Sequence, residues 1–336
     1  MGLRTGAARW LGEIQRAAEA LAILDAESSL AEAAARYGWV KPELTDTDRL
    51  ALTGSRHPVV ERLLPSGEFV PNDCVLDGTR RQILLLTGPN MGGKSTYLRQ
   101  VALSVLLAQT GSFVPATHAE VGLVDRLFTR VGASDRLGAG ESTFMVEMRE
   151  TAEILRAATP RSLVMLDELG RGTATYDGLA LAWAVTEFLH ESGGPHPRTI
   201  FATHYHELTQ LAGRLPRLAN VQATVREWGD RVVFLHRIGE GAADRSYGIH
   251  VAQLAGLPEP VLARARQVLA ELESERTVDH LEARAPGERT GTGAPVAVAA
   301  LHPLGARLRD LRLETLTPLA ALNLIAAWKL EWGAED

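Results

Sequence analysis

The stretch Ile83–Tyr97, I-L-L-L-T-G-P-N-M-G-G-K-S-T-Y, decides the fold. It fits G-x-x-x-x-G-K-[ST], with Gly88, Gly93, Lys94 and Ser95 at the defined positions, and it follows an apolar run that stops where the loop begins. A buried parallel strand then delivers the chain to a glycine-rich turn. Backbone N–H groups in the turn and the positive end of the following helix form an anion cradle. In that reading the loop residues Gly88, Pro89, Asn90, Met91, Gly92, Gly93, Lys94, Ser95 and Thr96 surround a nucleotide's phosphates. Lys94 sits against the β- and γ-phosphates, and the Ser95 hydroxyl ligates Mg²⁺. The alternative is a plain strand-to-helix turn with an exposed lysine. The apolar run in front of the loop favours the nucleotide site.

Working outward, the same layout recurs twice downstream. Ser162–Leu166 is an unbroken apolar run closed by Asp167 and Glu168, and Arg198–Thr203 is a strand closed by His204. Helical stretches at Thr96–Gln109, Phe144–Ala158 and Leu179–His190 separate these strands. Alternation of this kind predicts an α/β fold with a mostly parallel sheet covered on both faces, its ligand at the carboxyl ends of the strands. Asp167 would hold Mg²⁺ directly or through water, while Glu168 would orient and polarise an attacking water. His204 could reach the γ-phosphate. Ser142 and Thr143 open the helix at Phe144–Ala158. They read either as an N-cap or as a second phosphate-binding element, for this chain or a partner's, and spacing leaves both open.

The flanks are less regular. Trp10 to Ala35 is helical, with Trp10, Ile14, Ala17, Leu21 and Leu24 forming a stripe that has few partners in the chain. Tyr37–Thr53 reads as a connector. Phe69-Val70-Pro71-Asn72-Asp73 reads as edge-strand and loop material, placed to hold a nucleotide base. Val221–Val225 and Val232–His236 form a hairpin through Gly229-Asp230. Ser246–Glu273 is helical twice, broken at Gly256-Leu257-Pro258. Arg276–Gly305 is rich in Gly, Pro and charge and reads as a flexible linker. Thr317-Pro318 then starts an amphipathic helix bearing Leu322, Ile325, Trp328 and Trp332, a face that requires another chain.

Composition narrows the function classes. With 336 residues, 46% hydrophobic and 23% charged, the chain can build one large core. A net charge of -6 excludes a free-standing basic duplex-binding module. The single cysteine, Cys74, permits no internal disulfide and suits a reducing compartment. No targeting segment or membrane-length apolar run is present, so a cytoplasmic location is expected and no membrane partner.

The runs Thr87–Tyr97, Ser142–Met148 (S-T-F-M-V-E-M), Leu166–Gly178 (L-D-E-L-G-R-G-T-A-T-Y-D-G) and Ala202–Leu208 (A-T-H-Y-H-E-L) together closely resemble the MutS family of DNA mismatch-repair ATPases. The likeness extends to Gly54–Glu61, Ser246–Pro258 and Leu316–Leu322, so it spans nearly the whole chain. It implies an ABC-type P-loop NTPase fold in which two protomers sandwich two ATP molecules with Mg²⁺. Lys94, Ser95, Asp167 and Glu168 would act in cis, while Ser142 and Thr143 would face the partner's γ-phosphate. Asn90 resembles the family's loop asparagine and His204 its switch histidine. Phe69 and His236 match the positions that flank the adenine ring. The implied layout is a remnant of the helical core and lever region (1–45), an ATPase domain (46–245), a helix-turn-helix dimerisation element (246–275), a linker (276–305) and an oligomerisation helix (306–336). Implied partners are a second protomer, with a tetramer through the last helix, mismatched double-stranded DNA in the full-length protein, and a MutL-type repair protein. The family's mismatch-reading Phe-x-Glu is missing, since none of the seven phenylalanines has glutamate two residues later. A C-terminal part of such a protein, unable by itself to discriminate mismatched DNA, is expected. Two other readings compete: an oligomerisation module that binds nucleotide with little turnover, and another ABC-type ATPase. Against the latter, Ser142-Thr143-Phe144-Met145 stands where other such ATPases carry a Gly-rich signature.

Overall fold

The computed structural model describes residue 6 and residues 8–130, 142–191, 196–228, 231–243 and 247–282. In chain order they form α1 (Leu11–Tyr37), β1 (Glu43–Thr45), β2 (Leu50–Ser55), the single-turn α2 (Val60–Leu63), β3 (Asn72–Leu76), β4 (Ile83–Thr87) and α3 (Lys94–Gln109). Next come β5 (His118–Gly122), β6 (Leu127–Arg130), α4 (Thr143–Ala157), β7 (Leu163–Asp167), α5 (Thr175–Glu191) and β8 (Arg198–Ala202). A 3-10 helix (His206–Gly213), β9 (Leu218–Trp228), β10 (Arg231–Glu240), α6 (Gly248–Leu254) and α7 (Glu259–Glu282) follow. The chain divides into Met1–Glu271 and Leu272–Asp336, and the described part of the second unit is helical backbone through Glu282.

β4, β7 and β8, the three strands read from apolar runs, are central in a six-stranded sheet of order β10-β9-β4-β8-β7-β6. Every pair in it is parallel except β9 with β10. The runs are continuous because both faces are covered. Leu84 and Leu86 of β4 pack with Leu98, Val101 and Val105 of α3 on one side. Ile83 and Leu85 pack with Ile154 of α4 and Ala182, Val185 and Leu189 of α5 on the other. The expectation of an α/β architecture with helices on both faces of a mostly parallel sheet holds. All three strands point their carboxyl ends the same way, which is what places the loop after β4, the carboxylates after β7 and His204 after β8 along one edge.

A second sheet, of order β1-β5-β2-β3, is not expected from the sequence as a sheet; only its edge strand β3 overlaps the edge-strand material read at Phe69–Asp73. The Tyr37–Thr53 connector is corrected: it contains β1 and most of β2, with Leu50 and Leu52 fully buried. These strands are short and are defined by pairing with the distant β5, which no local pattern reports. The hairpin strands are also longer than expected, and their register shifts between Phe234 and Ile238. The linker boundary at 276 moves as well, because α7 runs to Glu282; Arg276–Glu282 contains neither Gly nor Pro to stop it. The remaining linker and the expected C-terminal helix lie outside the described residues, as do Gly229 and Asp230. Along α1, closed by Gly38 in the left-handed region, only Ala34 is buried. Trp10, Leu11, Ile14, Leu21 and Leu24 are exposed.

Candidate functional site

β4 ends at Thr87, and the chain turns at Gly88 with φ +128. A Cβ at Gly88 would approach the Ala223 Cβ to 3.0 Å and its backbone N and O to 3.1 Å, so the loop is held against β9 with no room for a side chain. Gly93, at φ +95, is the N-cap of α3 and allows the loop to enter the helix. Lys94 is thereby buried at the first helical position. Its ammonium donates to Gly88 O at 2.7 Å and Asn90 Oδ1 at 3.3 Å, and lies 3.9 Å from Glu168 Oε1. Burial lowers the Lys94 pKa, and the Glu168 and Asp167 carboxylates counter part of that.

The carboxylates arrive from β7. Burial raises the Asp167 pKa, opposed by a hydrogen bond from the Ser95 hydroxyl and reinforced by the neighbouring Glu168 charge. Asp167 Oδ1 is buried and has no hydrogen-bond partner among the described residues. A hydroxyl and a carboxylate oxygen with unmet capacity suit a hard cation such as Mg²⁺, which takes one or two protein oxygens and completes its shell with water and phosphate. No cluster of three or more His, Cys, Asp or Glu among the described residues offers an all-protein cage. Glu168 sits at φ 55, its backbone N–H donating to Ala202 O at 2.8 Å, and its side chain pairs with Arg171.

A cavity of about 490 Å³ reaches Lys94, Ser95 and Glu168 but not Asp167, which does not line it. Phe69 and His236, from opposite arms, line it together with Asn90, Lys94, Ser95 and Glu168. His236 lies close to the phosphate loop: a Cβ on Gly93 would meet its Nδ1 at 3.5 Å. Val60 and Leu64 add an apolar wall. The cavity thus combines polar and cationic groups of the loop with aromatic and aliphatic side chains, among them His236 beside the loop itself. That combination matches a molecule with an anionic tail and a flat ring.

A family model described as MutS domain V matches residues 84–273. The DNA mismatch repair protein MutS of Rhodopirellula baltica is 52% identical over 99% of this chain. The chain belongs to the MutS family. The MutS proteins of Syntrophobacter fumaroxidans and Symbiobacterium thermophilum are each 51% identical, over 97% and 96% of the chain. The chain spans about 38% of the length of the first two of these relatives and 37% of the third.

Not every expected site residue of this MutS-family chain meets the cavity. His204 follows β8, and its ring packs on Tyr205 with centroids 4.0 Å apart. It does not line the cavity, yet it lies near the same charges: burial lowers its pKa, as do Arg171 and Lys94, while Glu168 pulls the other way. Ser142 is the N-cap of α4, its Oγ accepting from Met145 N at 3.2 Å. Ser142 and Thr143 are exposed and absent from the cavity wall, so within one chain the capping role is the one realised.

Residues outside the sequence reading also contribute here. Arg171, three residues past Glu168, pairs with its carboxylate. Glu147, buried on α4, accepts from Gly170 N at 2.8 Å and so ties the helix that starts at Ser142 to the turn that follows Glu168. An acidic residue on the inward face of an otherwise amphipathic helix was the available signal. Among the described residues no helix is long and apolar enough to cross a membrane.

Proposed function

We propose that this chain is the ATP-binding and ATP-hydrolysing dimerisation part of a MutS-type DNA mismatch-repair protein. One observation carries the reading: the loop after β4, the strand-end carboxylate Glu168 and the Phe69–His236 pair converge on a single cavity, with Asp167 set behind its wall. Backbone amides of the loop between Asn90 and Thr96 and the Lys94 ammonium bind the β- and γ-phosphates. Phe69 and His236 bracket the adenine. Glu168 orients a water for in-line attack on the γ-phosphorus, so that ADP leaves and inorganic phosphate forms. Ser95 and Asp167 would hold Mg²⁺, which when bound neutralises charge shared by the β- and γ-phosphates. His204, beside Glu168, responds to the γ-phosphate.

The same reading places two protomers face to face in the ABC manner, with Ser142 and Thr143 of one chain at the γ-phosphate held by the other. Their exposure at the start of α4 supports this. α6 and the start of α7 serve as the dimerisation element. Mismatched DNA and a MutL-type protein are partners of the longer protein, in which nucleotide turnover gates a DNA clamp.

Glu168→Gln tests the chemistry. Steady-state ATP hydrolysis should fall at least about 100-fold while ATP binding persists. Wild-type turnover in that variant would remove Glu168 from its role. A second reading, a nucleotide-binding oligomerisation module with little turnover, is favoured by one contact: the Glu168 carboxylate is engaged by Arg171. ATPase measured against protein concentration separates the two. Specific activity that rises as chains pair supports the composite site; negligible activity at every concentration supports the binding module.

A further inference from the structure

The two arms at the base end of the cavity come from different sheets. Phe69 precedes β3, on the edge of the four-stranded sheet, and His236 lies in β10, on the edge of the six-stranded one. β10 is irregular there. Its pairing with β9 breaks between Phe234 and Ile238, and His236 takes φ 52, a left-handed conformation that a non-glycine residue keeps only when its surroundings hold it.

Asn72 supplies that hold. Its side chain is buried, and its carboxamide reaches β10: Nδ2 donates to His236 O at 2.9 Å and Oδ1 accepts from Ile238 N at 2.7 Å. A carbonyl and an N–H two residues apart are what one residue of an added parallel strand would bond, so the carboxamide stands in for a peptide unit on the open edge of β10. The same Nδ2 donates to Val70 O at 3.2 Å, next to Phe69. One side chain therefore fastens both ring-bearing arms.

We propose that Asn72 is a positioning residue for the nucleobase, setting the gap between Phe69 and His236. The assignment rests on the nucleotide reading of the cavity. A simple staple between two sheets would support the whole cavity alike; a base-positioning residue acts at one end of it. The phosphate loop is held by other contacts, chiefly Gly88 against Ala223 and Lys94 on Gly88 O.

The experiment uses the full 336-residue chain with Mg²⁺ and compares binding of ATP with binding of inorganic tripolyphosphate. Asn72→Ala should weaken ATP about 10-fold, as expected for loss of an ordered stacking bracket, and change tripolyphosphate less than about 2-fold. Asn72→Asp keeps the acceptor for Ile238 N but sets a carboxylate oxygen against His236 O and Val70 O, and should weaken ATP at least as much as alanine does. Unchanged ATP affinity in Asn72→Ala, or equal losses for both ligands, overturns the proposal. If the alanine variant does not fold, the aspartate variant decides by the same criterion: a loss confined to ATP supports the proposal, and a shared loss or none overturns it. Wild-type chain that binds tripolyphosphate but not ATP would overturn the nucleotide reading itself, and this assignment with it.

Discussion

Replacing Glu147 by alanine should destabilise the chain and slow turnover through the same contact. Both Glu147 and Arg130 side chains are 6% exposed; Glu147 Oε1 accepts from the buried Gly170 N at 2.8 Å, and Oε2 lies 4.0 Å from Arg130 Nη2. Truncation strands the Gly170 amide, and a hydrogen bond to a charged acceptor is worth about 1.5–3 kcal/mol. Arg130 also loses a neighbour, but it keeps Glu150 at 3.1 Å, whose side chain is half exposed, so the loss stays well short of the 3–5 kcal/mol typical of breaking an isolated buried pair. The combined cost is about 3 kcal/mol. Glu147→Gln retains an acceptor for Gly170 and should cost about 1 kcal/mol. Equilibrium urea unfolding, followed by tryptophan fluorescence, reads both. With a slope of roughly 3 kcal/mol/M, the alanine variant's midpoint should drop by about 1 M. Because Gly170 lies two residues past Glu168, ATP turnover should fall more than ATP binding. A midpoint within about 0.2 M of wild type, or an alanine variant indistinguishable from the glutamine one, would refute this role for Glu147.

Two further outcomes test neighbouring parts of the structure. Gly170→Ala should cost more than about 2 kcal/mol in thermal or chemical unfolding, since Gly170 has φ +90 and a Cβ there would fall 2.7 Å from Gly178 O; a neutral substitution would show that the turn adapts. The pH response should carry a signature of His57, whose Nδ1 accepts from Val59 N and Val60 N at 3.2 Å each and so caps the turn bearing Val60 on the cavity wall. Burial, then the Arg99 charge, lowers its pKa below 6.5. The unfolded chain therefore takes up the proton first, and the stability His57 contributes is complete above pH 6.5 and lost as pH falls from there through the folded-state pKa. His204 shifts in the same direction, so the His57 share is the difference between wild type and His57→Gln in melting temperature from about pH 7.5 to about pH 5. Parallel pH profiles for the two proteins would exclude it.

The legibility of this fold follows burial on both faces. β4, β7 and β8 could be read because residues such as Leu84, Val164 and Ile200 are apolar in succession, a pattern that little besides a buried strand produces when a glycine-rich loop or an acidic pair follows. The four-stranded sheet could not. β1 has three residues and no buried position, and what makes it a strand is pairing with Glu120, Val121 and Gly122 far along the chain. α7 overruns its expected end because Arg276–Glu282, although charged, contains no Gly or Pro to interrupt the helix. The loop after β4 and the carboxylates after β7 can be proposed from sequence for a chemical reason: the roles proposed for them ask for particular residue types at particular ends of strands. Glu147, Arg171 and Asn72 cannot be, because each acts on backbone or on another side chain, and such a role leaves no spacing rule behind.

Backbone conformation points to the same cavity by a route independent of residue type. Among the described residues, the non-glycine positions with positive φ are Met91, Glu168 and His236, at 70, 55 and 52 degrees. All three line the same cavity, although they come from the phosphate loop, the end of β7 and the irregular part of β10. Each such conformation costs on the order of 1 kcal/mol or more and persists only where surrounding contacts over-determine it. Two of them have such contacts: Glu168 N donates to Ala202 O, and Asn72 grips the backbone on either side of His236. A fold whose local rules hold along its sheets and fail together around one pocket has its strain where ligand chemistry would use it. Because conformation at Met91 owes nothing to the identity of Lys94 or Glu168, this agreement points to a ligand site here separately from the sequence pattern behind the proposed nucleotide.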